Sequence, residues 1–236
     1  MRVRLRGLQA TLLACYQVCM RTIAIVSRKG GAGKTTMATH LAVVAEAAGL
    51  RVALFDLDPQ ASAALWSDHR GEAFPAVVPA QAPRLAGLLA QARTGGADLV
   101  LIDTPPEADG IASAAAAAAD LTLIPCRPSA LDLDAVAASV RIAAATGRPF
   151  AVAINAAPAV GVEVAEMRAA LAGAAVPVAP VVLHQRKAFS SRMQEGRTAG
   201  EHEPDGKAAA EMTALFHWLC QQVRLLPDEQ PQAVTR

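Results

Sequence analysis

Two lysines five residues apart flank a run of small residues at positions 26–36, VSRKGGAGKTT. Such a run suits phosphate chemistry. Small residues let backbone N–H groups turn inward around an anion, and the helix that follows adds the positive end of its dipole. Gly30, Gly31, Ala32 and Gly33 would form that cradle. Lys34 would neutralise charge on β- and γ-phosphates, the Thr35 hydroxyl would hold Mg²⁺, and Thr36 could add a hydroxyl contact to an α-phosphate. The usual G-x-x-x-x-G-K-[ST] spacing fails at its first position, where Arg28 stands for glycine and no role for it is evident. In exchange the loop carries Lys29, five residues before Lys34.

Acidic residues recur where apolar runs end. Asp103 closes LVLI and is placed to complete a magnesium shell through water. Asp56 and Asp58, in FDLDPQ, are two residues apart and so share one side of an extended segment. One can face the metal while the other orients an attacking water. Asn155 ends AVAIN; its amide can hydrogen-bond an adenine, or it can simply end a strand in a turn.

The elements that would position these groups alternate along the chain. Strands are expected at residues 23–27, 51–55, 76–78, 99–102, 121–125, 150–154 and 178–183. Between and after them, helices are expected at 35–48, 61–69, 85–92, 111–119, 135–145, 162–172 and 207–223. The strands are continuous apolar runs, the mark of a mostly parallel sheet covered on both faces. The fold class is therefore α/β and doubly wound, with ligands at the carboxyl ends of the strands. In the last helix Met212, Leu215, Phe216, Leu219 and Val223 recur at helical spacing and read as core.

Length and charge set outer limits. The chain of 236 residues suits one sizeable domain, and a formal net charge of +1 announces neither nucleic acid nor membrane, so any such contact must come from a local patch. The four cysteines form no C-x-x-C and read as reduced thiols. No run is long and apolar enough to span a membrane. Residues 1–19 resemble a secretion signal only weakly, because Gln9 and Thr11 interrupt a short apolar core. Met20 is read as the functional start, with a leader at 1–19 as an upstream extension or a disordered or helical arm, the domain at 20–226 and a tail at 227–236.

KGGAGKTT, DLDPQ, LIDTPP and the IN dipeptide, in this order, resemble the ParA/MinD class of deviant Walker P-loop NTPases of the SIMIBI type. DPQASAALW and IPCRPSALDLDA resemble the small ParA/ParF partition ATPases. The resemblance covers about residues 20–225. It implies ATP and Mg²⁺ as cofactors, an ATP-dependent homodimer, and Lys29 reaching across the dimer to the phosphates of the other subunit's nucleotide. It implies Asp58 as the residue that positions water, Asp56 in the magnesium shell, and switch segments around Asp58 and at 104–110. Weak basal ATP hydrolysis would be raised by a ParB-like or small adaptor protein. The leader is too short for the helix-turn-helix domain of larger relatives.

The resemblance further implies cytoplasmic, nucleoid-associated partition of plasmid, chromosome or protein cargo through non-specific DNA binding. Arg186, Lys187, Arg192, Arg197 and Lys207 would supply that patch, with Glu195, Glu201, Glu203 and Asp205 weakening it. A solvated helix face is the alternative reading of the same charges. A MinD-like membrane regulator would need a basic amphipathic C-terminal helix, which VRLLPDEQPQAVTR lacks. An iron–sulfur carrier would need paired interface cysteines, and Cys126 and Cys220 stand alone. A metabolic kinase or synthase on the same fold is a further alternative.

Overall fold

The computed structural model describes residues 19–72, 74–129 and 132–225. The leader (Cys19 apart) and the tail at 227–236 lie outside them. Seven strands form one sheet in the order β3-β2-β4-β1-β5-β6-β7. They are β1 (Arg21–Ile25), β2 (Val52–Asp56), β3 (Ala76–Pro79), β4 (Leu99–Asp103), β5 (Leu121–Cys126), β6 (Phe150–Ala157) and β7 (Val178–His184). Every pairing is parallel, where the sequence led us to expect a mostly parallel sheet.

The longer helices are α1 (Lys34–Ala47), α2 (Ser62–Arg70), α3 (Leu85–Thr94), α4 (Asp109–Ala118), α5 (Leu133–Ala145) and α6 (Glu163–Gly173). Two short helices, α7 (Ala188–Ser191) and α8 (Ala199–His202), precede α9 (Lys207–Val223). Neither short helix was expected, because four residues are too few to show a helical period.

Alternate strand residues feed opposite faces of the sheet. Ile23, Ile25, Leu99 and Leu101 pack with Met37 and Leu41 of α1 and Leu215 and Phe216 of α9. Ala24, Val100 and Ile102 pack on the other face with Leu85 of α3 and Ala112 and Ala115 of α4. A third cluster joins Ile124, Val152 and Ile154 to Val136 of α5 and Met167 and Leu171 of α6. A sheet sealed on both faces leaves only its edges for polar chemistry. The register Asp56↔Asp103↔Ile25 brings the ends of β2, β4 and β1 to one level on the carboxyl edge. Among the described residues no helix is long and apolar enough to cross a membrane.

One buried polar group ties the start of α1 to the segment before α9. His40 is 1% exposed. Its Nδ1 lies 2.7 Å from the Thr36 carbonyl oxygen, and its Nε2 accepts the Ala199 N–H at 3.0 Å. Phe189 meets the ring edge-on. Both contacts are satisfied by the neutral ring, and burial pushes the imidazole down from 6.5 to about 4. The unfolded chain therefore binds a proton between those values that the native chain does not, so stability falls as pH falls through this window. The sum is on the order of 3 kcal/mol, at about 1.4 kcal/mol per pK unit. We expect the thermal midpoint of His40→Gln to lie below that of the wild type at pH 7 and the gap to narrow towards pH 4.5. A gap independent of pH would show that His40 is not held neutral.

Candidate nucleotide-binding site

The loop between β1 and α1 turns through two glycines in the left-handed region, Gly31 at φ 71° and Gly33 at φ 93°. A Cβ on Gly33 would also run into Nδ2 of Asn155. Arg28, at the position where the usual motif has glycine, is not among the residues with positive φ, so its side chain costs the loop nothing. Its Nε lies 2.9 Å from Asp109 Oδ1 at the start of α4, and its backbone accepts from the Glu107 N–H. Arg28 thus braces the loop against the 104–110 segment, a role its sequence context did not reveal.

None of the N–H groups from Gly30 to Thr36 donates to an acceptor among the described residues. These free donors at a helix N-terminus suit a phosphate group. The Thr35 hydroxyl donates to Asp103 Oδ2 at 2.6 Å. Asp103 is fully buried, its Oδ1 meets no donor, and burial pushes its carboxyl up to about 7. A hydroxyl beside a sealed, half-satisfied carboxyl fits a magnesium shell, whose remaining places go to phosphate oxygens and water. Thr35 and Asp103 would hold that ion. Lys34 is 7% exposed, its Nζ donates to the Lys29 carbonyl at 3.3 Å, and burial lowers its pKa while Asp103 and Asp58 oppose the shift.

The pair after β2 also has structural work. Asp56 Oδ1 accepts the Asp58 N–H at 3.0 Å, and Oδ2 accepts the N–H groups of Ala63 and Ala64 at 2.9 and 3.0 Å. Asp56 therefore caps α2 and fixes the turn that carries Asp58, a structural task beyond the metal role expected of it. Asp58 Oδ1 accepts the Gln60 N–H, its one donor among the described residues, and the residue borders a cleft of about 740 Å³ with Pro79, Arg84 and Ile111. Asn155 lies within β6, because that strand runs on to Ala157, and its Nδ2 donates to the Ala32 carbonyl at 2.8 Å. Its amide thus shapes the loop. The residue also lines a cavity of about 180 Å³ with Gly33, Thr36, Arg127 and Arg186.

Three further residues escaped the sequence reading. Arg127, the first residue after β5, donates to the Gly31 carbonyl at 2.7 Å. Asp132, 3% exposed, holds the Lys29 ammonium in an ion pair beside Ser27 and Ala32. Glu211 on α9 binds Arg186 at 2.5 Å and His184 at 2.8 Å. The strand-end rule that found Asp103 also points to Arg127; no spacing rule points to Glu211. Arg192 pairs with Glu195, so two of the expected patch cations meet carboxylates of this chain. Lys187, Arg197 and Lys207 are exposed and form no ion pair among the described residues.

The chain matches the CobQ/CobB/MinD/ParA nucleotide binding domain over residues 23–199. It belongs to that family. The match takes in the loop, Asp56, Asp58, Asp103 and Asn155 and stops short of Lys207 and Glu211. The "Maintenance of carboxysome distribution protein A" of Gloeobacter kilaueensis is 47% identical over 91 residues, 38% of this chain and 40% of that protein. The chromosome-partitioning ATPase Soj of Thermus thermophilus is 52% identical over 44 residues, 19% of this chain and 18% of that one. The matched segments thus span well under half the length of these curated relatives. Apo McdA of Cyanthece superposes with a TM-score of 0.66 at 19% identity, covering 85% of this chain and 99% of that one. MinD of Pyrococcus horikoshii, solved with Mg-ADP, gives 0.69 at 21%, covering 85% and 96%. At these identities the likeness is one of fold.

Asp56 supplies the sharpest prediction of this family site. Asp56→Ala removes the acceptor of three backbone N–H groups and should cost on the order of 2 kcal/mol in chemical denaturation. Asp58→Ala, losing one exposed turn bond, should stay within about 0.5 kcal/mol of the wild type. Equal losses at the two positions would refute the capping role.

Proposed function

We propose that this chain is an ATP-dependent, dimerising partition or positioning ATPase of the ParA type. One observation carries the reading: the loop holds two lysines, and only one addresses its own phosphate cradle. Lys34 Nζ meets the Lys29 carbonyl within the loop, whereas the Lys29 ammonium is drawn off to the buried carboxylate of Asp132. A side chain so directed serves a nucleotide facing this one better than the nucleotide beside it. Bound magnesium would supply charge neutralisation at the transferred phosphate. Around it the chain's own groups divide the labour. The N–H groups of residues 30–36 and Lys34 bind the phosphates, Thr35 and Asp103 orient the metal, and Asp58 positions water from the turn that Asp56 fixes. Weak basal turnover, raised by an adaptor protein, suits a switch that must persist on its track.

Dimerisation tests this directly. With ATP and Mg²⁺ the wild type should double its mass in light scattering, and Lys29→Ala should bind ATP yet remain monomeric. Lys34→Ala should lose nucleotide affinity itself, and Asp58→Ala should keep the dimer while losing turnover. A Lys29→Ala protein that dimerised normally would sink the reading.

The second part of the proposal is a non-specific DNA surface. Lys187, Arg197 and Lys207 are its free cations, while Arg186 and Arg192 are weakened by Glu211 and Glu195. Two copies in a dimer double a weak contact. Retention on unrelated duplexes should require ATP and fall steeply from 50 to about 200 mM salt, as phosphate contacts do. Lys187→Ala/Lys207→Ala should weaken it on every sequence alike. Retention untouched by that variant would move the surface elsewhere.

A further inference from the structure

Glu211, on α9, gathers four donors at the carboxyl end of β7. Its Oε2 accepts the His184 backbone N–H at 3.0 Å, and its Oε1 accepts from His184 Nδ1 at 2.8 Å. The same Oε1 accepts from Arg186 Nε at 3.1 Å and from Nη2 at 2.5 Å. Between these two residues, the Gln185 N–H donates to the Ala157 carbonyl of β6 at 2.8 Å. The stretch from His184 to Arg186 is thus fixed to both α9 and β6. A carboxylate that grips a guanidinium along one edge sets the plane of the fork as well as its position. Among the described residues Arg186 Nη1 meets no acceptor.

Arg186 also belongs to a wall. It lines the cavity of about 180 Å³ together with Gly33 and Thr36, and these two residues belong to the phosphate loop and the first turn of α1. Cavity and cradle therefore share residues. A second hollow that touches the loop, at Lys29 and Ala32, has about 10 Å³, room for no more than a water molecule. A nucleotide with its phosphates on the N–H groups of residues 30–36 would extend its other end into the larger cavity. There Leu183, Phe189 and Met212 supply apolar wall beside the guanidinium. Apolar walls with a few fixed polar groups suit a flat heteroaromatic ring.

We propose that Arg186 holds the base of the bound nucleotide and that Glu211 is the positioning residue that sets Arg186 for it. The inference rests on the reading that the loop at 30–36 binds ATP, and it names the groups that meet the other end of that ligand. A base is the occupant, not a further phosphate, because Glu211 answers the charge of Arg186. An ion pair attracts an anion less than a lone cation does, whereas stacking on a guanidinium face needs no net charge. The assignment also takes Arg186 out of the DNA surface. With two of its three nitrogens on Glu211 and its side chain 26% exposed, it offers little to a duplex.

Titration calorimetry of the full chain with Mg²⁺ tests the proposal, with ATP and inorganic tripolyphosphate as the two ligands. Tripolyphosphate carries the phosphates and no base. Arg186→Ala and Arg186→Lys should each weaken ATP about tenfold, the scale of a partly desolvated guanidinium on an aromatic ring, and leave tripolyphosphate within about twofold. Glu211→Ala should weaken ATP about fivefold in the wild-type background and add nothing in the Arg186→Ala background, as for a residue that acts through another. Arg148→Ala, which removes an exposed cation two residues before β6, should bind ATP as the wild type does. If Arg186→Ala binds ATP like the wild type, the base is held elsewhere and the proposal is overturned while the ATP reading stands; a loss of DNA retention in that variant would return Arg186 to the DNA surface. Equal losses for ATP and tripolyphosphate would reveal an effect of charge or folding and overturn it too. A Glu211→Ala effect of the same size in both backgrounds would show that Glu211 acts through His184, and its positioning role would fall. A wild type that bound neither ligand would remove the ATP reading and this inference with it.

Discussion

The site depends on a carboxyl group sealed from water. Asp103 ends β4, next to the central strand β1, with neither oxygen exposed, and among the described residues only Oδ2 meets a donor. Burying a carboxylate is unfavourable unless a cation or several donors meet it. The fold supplies one hydroxyl, from Thr35, and a lysine, Lys34, which is itself depressed by burial. The remaining requirement is for positive charge at the mouth of the loop. The register of β2, β4 and β1 sets this situation, because it stacks Asp56 and Asp103 at one level beside the first turn of α1. Moving any of these strands by one residue would turn its terminal side chain to the other face of the sheet.

The strand ends were legible in the sequence, and much of the rest was not. Continuous apolar runs such as LVLI announce a parallel strand sealed on both faces, and the residue that ends such a run must sit at the edge. Asp103 and the glycine loop are found that way, and Arg127 is accessible to the same logic. The capping role of Asp56 is hidden, because a carboxylate bonding N–H groups seven and eight residues ahead leaves no periodic trace. Glu211 reaches Arg186 and His184 across 25 and 27 residues, and His40 reaches Ala199 across 159. Partners that tertiary structure brings together are invisible to any rule of spacing. The basic segment at 186–207 reads as one patch in sequence for that reason, and two of its five expected cations prove to be answered internally.

The same long-range bonds link the nucleotide loop to the C-terminal segment. Thr36, in the first turn of α1, presents its carbonyl to His40, and His40 in turn accepts from Ala199. Two residues before Ala199, Arg197 is exposed, and Gly196 packs so closely on the backbone of Arg70 that a Cβ there would clash. Arg70 lies over the ring of Trp66 and binds Glu201. Helix α2, capped by Asp56, is thereby fastened to the segment that also touches α1. The helix that the Asp56–Asp58 turn caps therefore packs directly against residues 196–201. This is a contiguous packed path between two ends of the molecule, and it stands as geometry, not as measured coupling.

The charges along the carboxyl edge impose a last condition. Lys29 pairs with Asp132 and Arg28 with Asp109, which leaves Lys34 beside Asp103 and Asp58, and Arg84 across the cleft from Asp56 and Asp58. A nucleotide's phosphates add negative charge to an edge already short of cations, so metal must enter with them. A symmetric exchange of Lys29 between two copies leaves the total charge unchanged; it only relocates each ammonium from Asp132 to phosphate. Asp132, 3% exposed, would then be a buried carboxylate without its partner, which is unfavourable unless another donor replaces the lysine. Two surfaces that close over this edge must therefore do more than exclude water. They would also have to bring a donor to Asp132, which the polar rim of a second copy could supply.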